Sequence, residues 1–202
     1  LKRLLDSMKK DAAAGLASGE ASRPIARPAW AASLDKGEPV RRLKLVDLDQ
    51  DNQPEILVAA GNGAFALDAD GELRWSYQLD GACYDVDGGE LNPEKGLEVA
   101  VAGGDTYAHL LDHSGRLISK HQIRGAVWNQ SFGDRPWQAY TVAVCDLDQD
   151  GGNEIFLGTQ NMELHMYDSA WKELARTRRA VLHGSIDFHT VDADLDGKLE
   201  LF

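Results

Sequence analysis

The acidic stretch Asp146-Leu-Asp-Gln-Asp-Gly-Gly-Asn-Glu154 indicates the fold, because the chain repeats it. It aligns without a gap with Asp47-Leu-Asp-Gln-Asp-Asn-Gln-Pro-Glu55 and with Asp192-Ala-Asp-Leu-Asp-Gly-Lys-Leu-Glu200. Every copy has carboxylates at positions 1, 3, 5 and 9. A motif that recurs along a chain predicts an array of similar structural units. The carboxylates of the three copies are Asp47, Asp49, Asp51 and Glu55, then Asp146, Asp148, Asp150 and Glu154, then Asp192, Asp194, Asp196 and Glu200.

A fourth copy of the acidic motif is predicted between the first two. It would open with Asp85 and Asp87 and close with Glu98. On this alignment the copy is longer than the others, so we expect an expanded version of the same loop.

The segments beside each acidic loop favour β-strands. A run rich in β-branched residues precedes each loop, a short apolar run follows it, and a Gly-containing turn leads to a third and a fourth run. Such runs, bounded by Gly and Asp, are typical of strands joined by tight turns. Each repeat is therefore predicted to be a four-stranded antiparallel meander, the blade of a β-propeller.

The repeat boundaries give a domain organisation. The predicted fold is all-β, a partial β-propeller over 25–202 with blades at about 40–80, 81–124 and 139–180 and a partial blade at 183–202. Residues 28–35 resemble an outer strand, because they repeat the Trp, Leu and Asp of 75–80. Residues 1–24 predict a short amphipathic helix followed by an Ala- and Gly-rich linker. About three blades do not close a ring, so the expected partners are the remaining blades of the same propeller or other domains of a parent protein.

The alternating carboxylates favour a calcium site. Ca²⁺ binds six to eight oxygen atoms, which carboxylates and backbone carbonyls supply. Asp at positions 1, 3 and 5 directs its oxygens into a tight loop, and Glu at position 9 completes the set from the next strand. Without a cation, so many neighbouring carboxylates repel one another. The alternative is that these Asp residues only accept hydrogen bonds from turn amides.

The loop spacing, over about 40–202, resembles the FG-GAP repeats of integrin-α-like propellers, also called VCBS-like repeats, in which Asp-x-Asp-x-Asp-Gly loops bind calcium. The resemblance implies a Ca²⁺-stabilised propeller. Two departures are that Asn52 stands where these loops have Gly and that the Phe-Gly and Gly-Ala-Pro signature of integrin repeats is missing.

Composition excludes some functions. The chain has 202 residues, with 33 Asp and Glu against 21 Lys and Arg, a net charge of −12. That balance argues against a nucleic-acid partner, because phosphate binding needs clustered cations. No apolar run approaches the roughly 18 residues of a membrane-spanning helix.

A long connection at 124–138 is the candidate ligand site, because loops on a rigid scaffold often carry function. Trp rings stack on sugars or peptides, and Arg binds carboxylates. The alternative is that the Trp side chains fill gaps between blades. The candidate residues are Arg124, Trp128, Asn129, Asp134, Arg135 and Trp137, with His183 as a possible neighbour.

These observations predict a calcium-stabilised propeller module of a larger secreted protein, extracellular or periplasmic, that binds a glycan or protein ligand or acts as a scaffold. The alternative is the propeller portion of a polysaccharide-active enzyme such as a lyase. No nucleophile motif favours an enzyme.

Overall fold

A computed structural model describes residues 34, 38–92, 96–125, 135–177, 190–191, 193 and 200–201. The predicted helix and linker at 1–24, most of the predicted outer strand at 28–35 and the middle of the long connection lie outside these residues. Within the described part of the chain all regular structure is β-strand. No helix there is long and apolar enough to cross a membrane.

Three four-stranded antiparallel sheets follow one another along the chain, each in simple meander order. The first sheet, called the first blade below, consists of β1 (Val40–Val46), β2 (Glu55–Ala60), β3 (Gly63–Leu67) and β4 (Leu73–Gln78). The second blade consists of β5 (Cys83–Gly89), β6 (Glu98–Gly103), β7 (Tyr107–Asp112) and β8 (Leu117–Gln122). A short pair, β9 (Arg124–Gly125) and β10 (Arg135–Pro136), then joins the two ends of the long connection. The third blade consists of β11 (Ala139–Cys145), β12 (Glu154–Thr159), β13 (Leu164–Tyr167) and β14 (Glu173–Arg176), and it precedes a last pair, β15 (Thr190–Val191) and β16 (Glu200–Leu201).

The position of each strand in its blade follows from its side chains. The second strands β6 and β12 are buried at every residue and β2 at all but one, because these strands have a neighbour on each edge and side chains packed on both faces. The fourth strands β4 and β8 alternate between exposed and half-buried residues. They therefore form the outer edge of each sheet, with one face toward solvent.

The core lies between blades. One cluster joins Leu57 and Ala66 of the first blade to Val86 and Val99 of the second. A second cluster joins Ala100 and Leu110 of the second blade to Val142, Ile155 and Leu157 of the third. Blades packed face to face in this way confirm the predicted all-β architecture of four-stranded antiparallel blades.

The first blade has an apolar face that the described residues leave open. Leu43 and Leu45 of its inner strand are 59% and 70% exposed. The strand registers make Leu43 equivalent to Val86 and Val142, which are 0% and 2% exposed because another blade covers them. Leu43 and Leu45 therefore lie where the other blades have an interface.

Candidate functional site

The acidic loop of the third blade forms a compact carboxylate cluster between β11 and β12. One carboxylate oxygen from each of Asp146, Asp148 and Glu154 lies within 4.8 Å of the others. Glu154 is only 4% exposed, and its Oε2 accepts a hydrogen bond from the Leu147 backbone N–H at 3.2 Å. The cluster therefore joins the end of one strand to the start of the next.

Backbone hydrogen bonds hold this loop in shape. The carboxylate of Asp146 accepts from the N–H groups of Asp150 and Gly151, at 3.1 and 3.0 Å. Gly151 has a φ of +94° and Gln149 a φ of +61°, so two residues of the loop are left-handed. Asp150 accepts from the Gly152 N–H rather than joining the three-carboxylate cluster.

The electrostatics of this cluster are unbalanced. Burial raises the pKa of Glu154, and the negative charges of Asp148, Asp146 and Asp150 raise it further. Among the described residues, no Lys, Arg or His forms an ion pair with these four carboxylates. Hard oxygen ligands with excess negative charge are the donor set that Ca²⁺ prefers.

The acidic loop of the first blade has the same backbone but a different charge environment. Oxygens of Asp47, Asp49 and Glu55 lie within 4.8 Å of one another, and Asp51 stays outside this cluster. Asn52 is left-handed, with a φ of +69°, as Gly151 is at the same position of the third blade, so it replaces Gly without changing the loop. Position 6 is therefore left-handed in both described acidic loops.

An arginine enters the cluster of the first blade. Nη1 of Arg74, on β4, lies 2.6 Å from Oδ2 of Asp49 and 2.8 Å from Oε1 of Glu55. The hydrogen bond from Arg74 lowers the pKa of Asp49. Arg74 was not among the residues predicted from the sequence, although a comparison of the fourth strands distinguishes it, because the equivalent positions carry Ile118 and Leu174.

The predicted expanded loop of the second blade is a misalignment. Gly89 pairs with Glu98 as Val46 pairs with Glu55, and Glu98 accepts from the Leu91 N–H at 2.9 Å. The loop therefore runs over 90–98 and has the same nine-residue length as its relatives. Asp85 and Asp87 lie within β5, and Asp85 is four residues from the strand end, which is about 13 Å along a strand. The structure does not bring them to Glu98.

Asp85 and Asp87 instead connect the inner strands of three blades. Oδ2 of Asp85, whose side chain is 2% exposed, accepts from the Thr141 hydroxyl at 2.8 Å and from the Val142 N–H at 3.0 Å. Its Oδ1 lies 3.1 Å from Nε of Arg42 in the first blade. Both partners on β11 would otherwise be buried polar groups without an acceptor, so the carboxylate is needed for packing rather than for metal binding.

Asp87 repeats this arrangement two residues further along β5. It accepts from the Val144 N–H at 3.1 Å, and Lys44 of the first blade lies 3.6 Å away. Burial raises the pKa of Asp87, and the charge of Lys44 opposes that shift. The inner strands thus bind one another through alternate acidic side chains.

The fourth acidic loop is described only at its strands. Asp192, Asp194 and Asp196 lie outside the described residues, and Glu200 is placed in β16 opposite Val191. The metal prediction for these four residues stays a prediction.

For Trp137 of the long connection, the structure favours the predicted gap-filling role over the ligand role. Trp137 is 8% exposed, packs in the core between the second and third blades, and donates from Nε1 to the Gly125 carbonyl at 3.1 Å. The guanidinium carbon of Arg135 lies 3.9 Å from the centre of its ring. Trp137 therefore fills a gap between blades, because its ring has no open face for stacking a ligand.

The other candidates in this region are placed only in part. Arg124 and Arg135 are exposed on the short β9–β10 pair. Trp128, Asn129, Asp134 and His183 lie outside the described residues, so their ligand role stays a prediction.

Comparison with known proteins supports the fold. No family model matches the chain, and no curated protein matches it. Among solved structures, the chain is similar to BBS1N, solved in complex with ARL6DN, at 14% identity and a TM-score of 0.52 over 71% of this chain and 41% of that one. It is similar to a protein of unknown function from Bacteroides caccae at 16% identity and a TM-score of 0.51, covering 81% of this chain and 54% of that one.

A third similar structure is the Dos1 propeller, at 13% identity and a TM-score of 0.51, with 75% of this chain and 38% of that chain covered. The chain thus spans about half or less of each of these three structures. At these identities the likeness shows the fold alone, and the fold is a β-propeller.

Proposed function

We propose that this chain is a calcium-stabilised β-propeller module of a larger secreted protein, related to the FG-GAP (VCBS-like) repeats. The observation that carries the proposal is the carboxylate cluster of the third blade. Asp146, Asp148 and the buried Glu154 converge within 4.8 Å, and no described cation pairs with them. A buried carboxylate beside two others is costly unless a positive charge is near.

Calcium supplies that positive charge and a ligand shell made of oxygen atoms. In this chain Asp146, Asp148 and Glu154 would hold it, and Asp150 stabilises the loop through its bond from the Gly152 N–H. Because Glu154 begins β12 and Asp146 follows β11, a bound ion would link the ends of two neighbouring strands. Folding would then be coupled to the calcium concentration.

The calcium proposal also supports an extracellular or periplasmic location. Loops of exposed Asp residues in extracellular modules bind calcium at about 10⁻⁴ to 10⁻³ M. Such sites fill only where free calcium is abundant.

The proposed role is binding or scaffolding, with a glycan or a protein as the ligand. BBS1N was solved as a complex with ARL6DN, and by fold analogy we propose a binding role for this chain. The open face at Leu43 and Leu45 supports a remaining blade of the same propeller as one partner. In the described part of the chain nothing favours the polysaccharide-active alternative.

The test is calcium-dependent thermal melting of the metal-free chain, together with calorimetric titration of CaCl₂. We expect calcium to raise the Tm of the wild type, and Asp148→Ala to lose one bound ion and most of this rise. Asp70→Ala is the matched control, because Asp70 is an exposed carboxylate in the turn between β3 and β4, outside the cluster. Equal melting of the wild type in CaCl₂ and in EGTA, with no heat of binding, would sink the proposal.

A further inference from the structure

The two described acidic clusters have the same loop backbone but different positive partners. In the first blade, Arg74 reaches from β4 into the cluster, where Nη1 contacts Asp49 at 2.6 Å and Glu55 at 2.8 Å. These are two of the three carboxylates that converge there. In the third blade the equivalent residue is Leu174, which is 43% exposed and carries no charge.

The equivalence rests on strand register. Arg74, Ile118 and Leu174 are each the second residue of a fourth strand, and the strands pair with their neighbours in the same way. The side chains of Ile118 and Leu174 are both 43% exposed, so core packing does not determine the residue type at this position. Among the three described blades, only the first has a positive charge at this place.

We propose that Arg74 replaces the metal ion in the first blade, so that loop 47–55 is held by a guanidinium and loop 146–154 by calcium. The preference for calcium in the third blade rests on the proposed function. The replacement by Arg74 rests on the ion pairs of the first blade.

The physical reason is competition for the same oxygens. Guanidinium N–H groups directed at Asp49 and Glu55 use lone pairs that a cation would need, and their charge repels a divalent ion. Glu55 has a side chain only 2% exposed, so it needs a positive partner, and Arg74 is already there at 37% exposure. The arginine is part of the chain itself, so loop 47–55 keeps its positive partner at any calcium concentration.

The experiment measures how many calcium ions the metal-free full chain binds on titration. Because variants are compared with the wild type, ions bound by other loops contribute equally and do not affect the difference. Arg74→Leu copies the third blade, and we expect it to bind one calcium more than the wild type. Adding Asp49→Ala to that variant should remove the extra ion. Arg74→Lys is the control that keeps the charge, and it should gain none.

A second measurement does not depend on how well Arg74→Leu folds. Asp49→Ala in the wild-type background should leave calcium stoichiometry unchanged and lower the Tm equally in CaCl₂ and in EGTA. Loss of one bound ion from Asp49→Ala would overturn the proposal. A folded Arg74→Leu variant without an added ion would overturn it too.

The reverse exchange tests the third blade. Leu174→Arg changes an exposed residue and should cost the chain one bound calcium, whereas Leu174→Gln should not. If Asp148→Ala leaves the calcium stoichiometry unchanged, the proposal of a calcium site in the third blade is wrong. The replacement by Arg74 still stands in that case, provided that Arg74→Leu gains its ion.

Discussion

The indole Nε1 of Trp171 donates a hydrogen bond to the hydroxyl of Ser119, 2.9 Å away, and this contact joins the third blade to the second. The junction of the first two blades also contains an indole, but here it comes from the fourth strand and not from the turn that precedes it. There the indole is Trp75, the third residue of its fourth strand, as Ser119 is in the second blade. Its Nε1 donates to the His113 carbonyl at 3.0 Å, and its ring lies over Gly115. Gly115 lies two residues before β8, as Trp171 lies two residues before β14. At the fourth strands, each junction thus has one indole, contributed by the first blade at one junction and by the third blade at the other.

Gly115 and Trp171 occupy equivalent turn positions, and the backbone there is left-handed in both blades. Gly115 has a φ of +80° and Trp171 a φ of +62° at the same place in the turn. A left-handed residue other than Gly costs about 1–2 kcal/mol. Trp171 offsets this through stacking on His121, whose ring is 5.4 Å away at 12°.

Gly115→Ala should destabilise the junction of the first two blades. A Cβ on Gly115 would lie 2.6 Å from Cδ2 of Trp75, so the indole must move. Overpacking and left-handed strain together should cost about 2–4 kcal/mol of unfolding free energy, measured by urea titration.

Gly96→Ala is the matched control. Gly96 has a φ of +78°, and a Cβ there meets nothing nearer than 3.7 Å, so only the strain of about 1 kcal/mol is expected. Equal losses for the two variants would mean that the contact with Trp75 is unimportant.

Asp85→Ala should destabilise the chain independently of calcium. The change leaves the Thr141 hydroxyl and the Val142 N–H without their acceptor and Arg42 without its carboxylate. Removing one partner from a buried ion pair costs about 3–5 kcal/mol.

The measurement is urea unfolding in CaCl₂ and in EGTA. The loss should be the same in both, whereas the effect of Asp148→Ala should depend on calcium. A smaller calcium stoichiometry for folded Asp85→Ala would restore Asp85 as a metal ligand and contradict the interblade role.

Asp112 should make the Tm of the chain fall more steeply as the pH is lowered. Burial opposes its ionisation, but hydrogen bonds from Ser114 and Arg116 outweigh that effect and lower the pKa from 3.8 to about 2. A carboxyl whose pKa is depressed in the folded state contributes stability that is present above pH 3.8 and is lost as the pH falls toward 2. Asp112→Asn should therefore flatten the dependence of Tm on pH in that window.

Asp68→Asn provides the comparison, because Asp68 accepts from the backbone N–H groups of Asp70 and Glu72 in an equivalent turn. It lacks the hydroxyl and guanidinium donors that Asp112 has among the described contacts. If both variants change the acid slope equally, the side-chain donors are not the cause.

Cys83 should be unreactive in the folded chain. It is fully buried, and burial raises the pKa of its thiol to about 12, with the charge of Asp85 acting in the same direction. Thiol reagents attack the thiolate, which is scarce at pH 8 under these conditions.

The Cys145→Ser variant isolates this thiol, because the chain has two cysteines. We expect no labelling by iodoacetamide in native buffer and complete labelling in urea. Rapid native labelling would show that the interface at Cys83 opens without global unfolding.

The repeated acidic nonapeptide and the strand-like runs beside it were enough to predict four-stranded antiparallel blades, because period-2 runs between Gly and Asp turns depend only on local sequence. The left-handed requirement at Asn52 and Gly151 was local in the same sense. These features involve residues within one turn of each other.

The second acidic loop shows where local pattern fails. Asp85 and Asp87 match the spacing of a metal loop, yet strand register puts them on an inner strand, and partners more than 40 residues away decide their role. The pairing of Gly89 with Glu98 fixes that register, and no spacing rule contains it.

Sequence alone determined the kind of unit and the residues that could bind a cation, because strands, turns and carboxylate spacing are set by near neighbours. Tertiary structure decided which of these carboxylates pair with a positively charged side chain of the same chain. Arg74 is 19 residues from Glu55, and only the packing of β4 brings its guanidinium 2.8 Å from that carboxylate. Charge acts through space, so the partner of a buried acid depends on the fold and not on the order of residues.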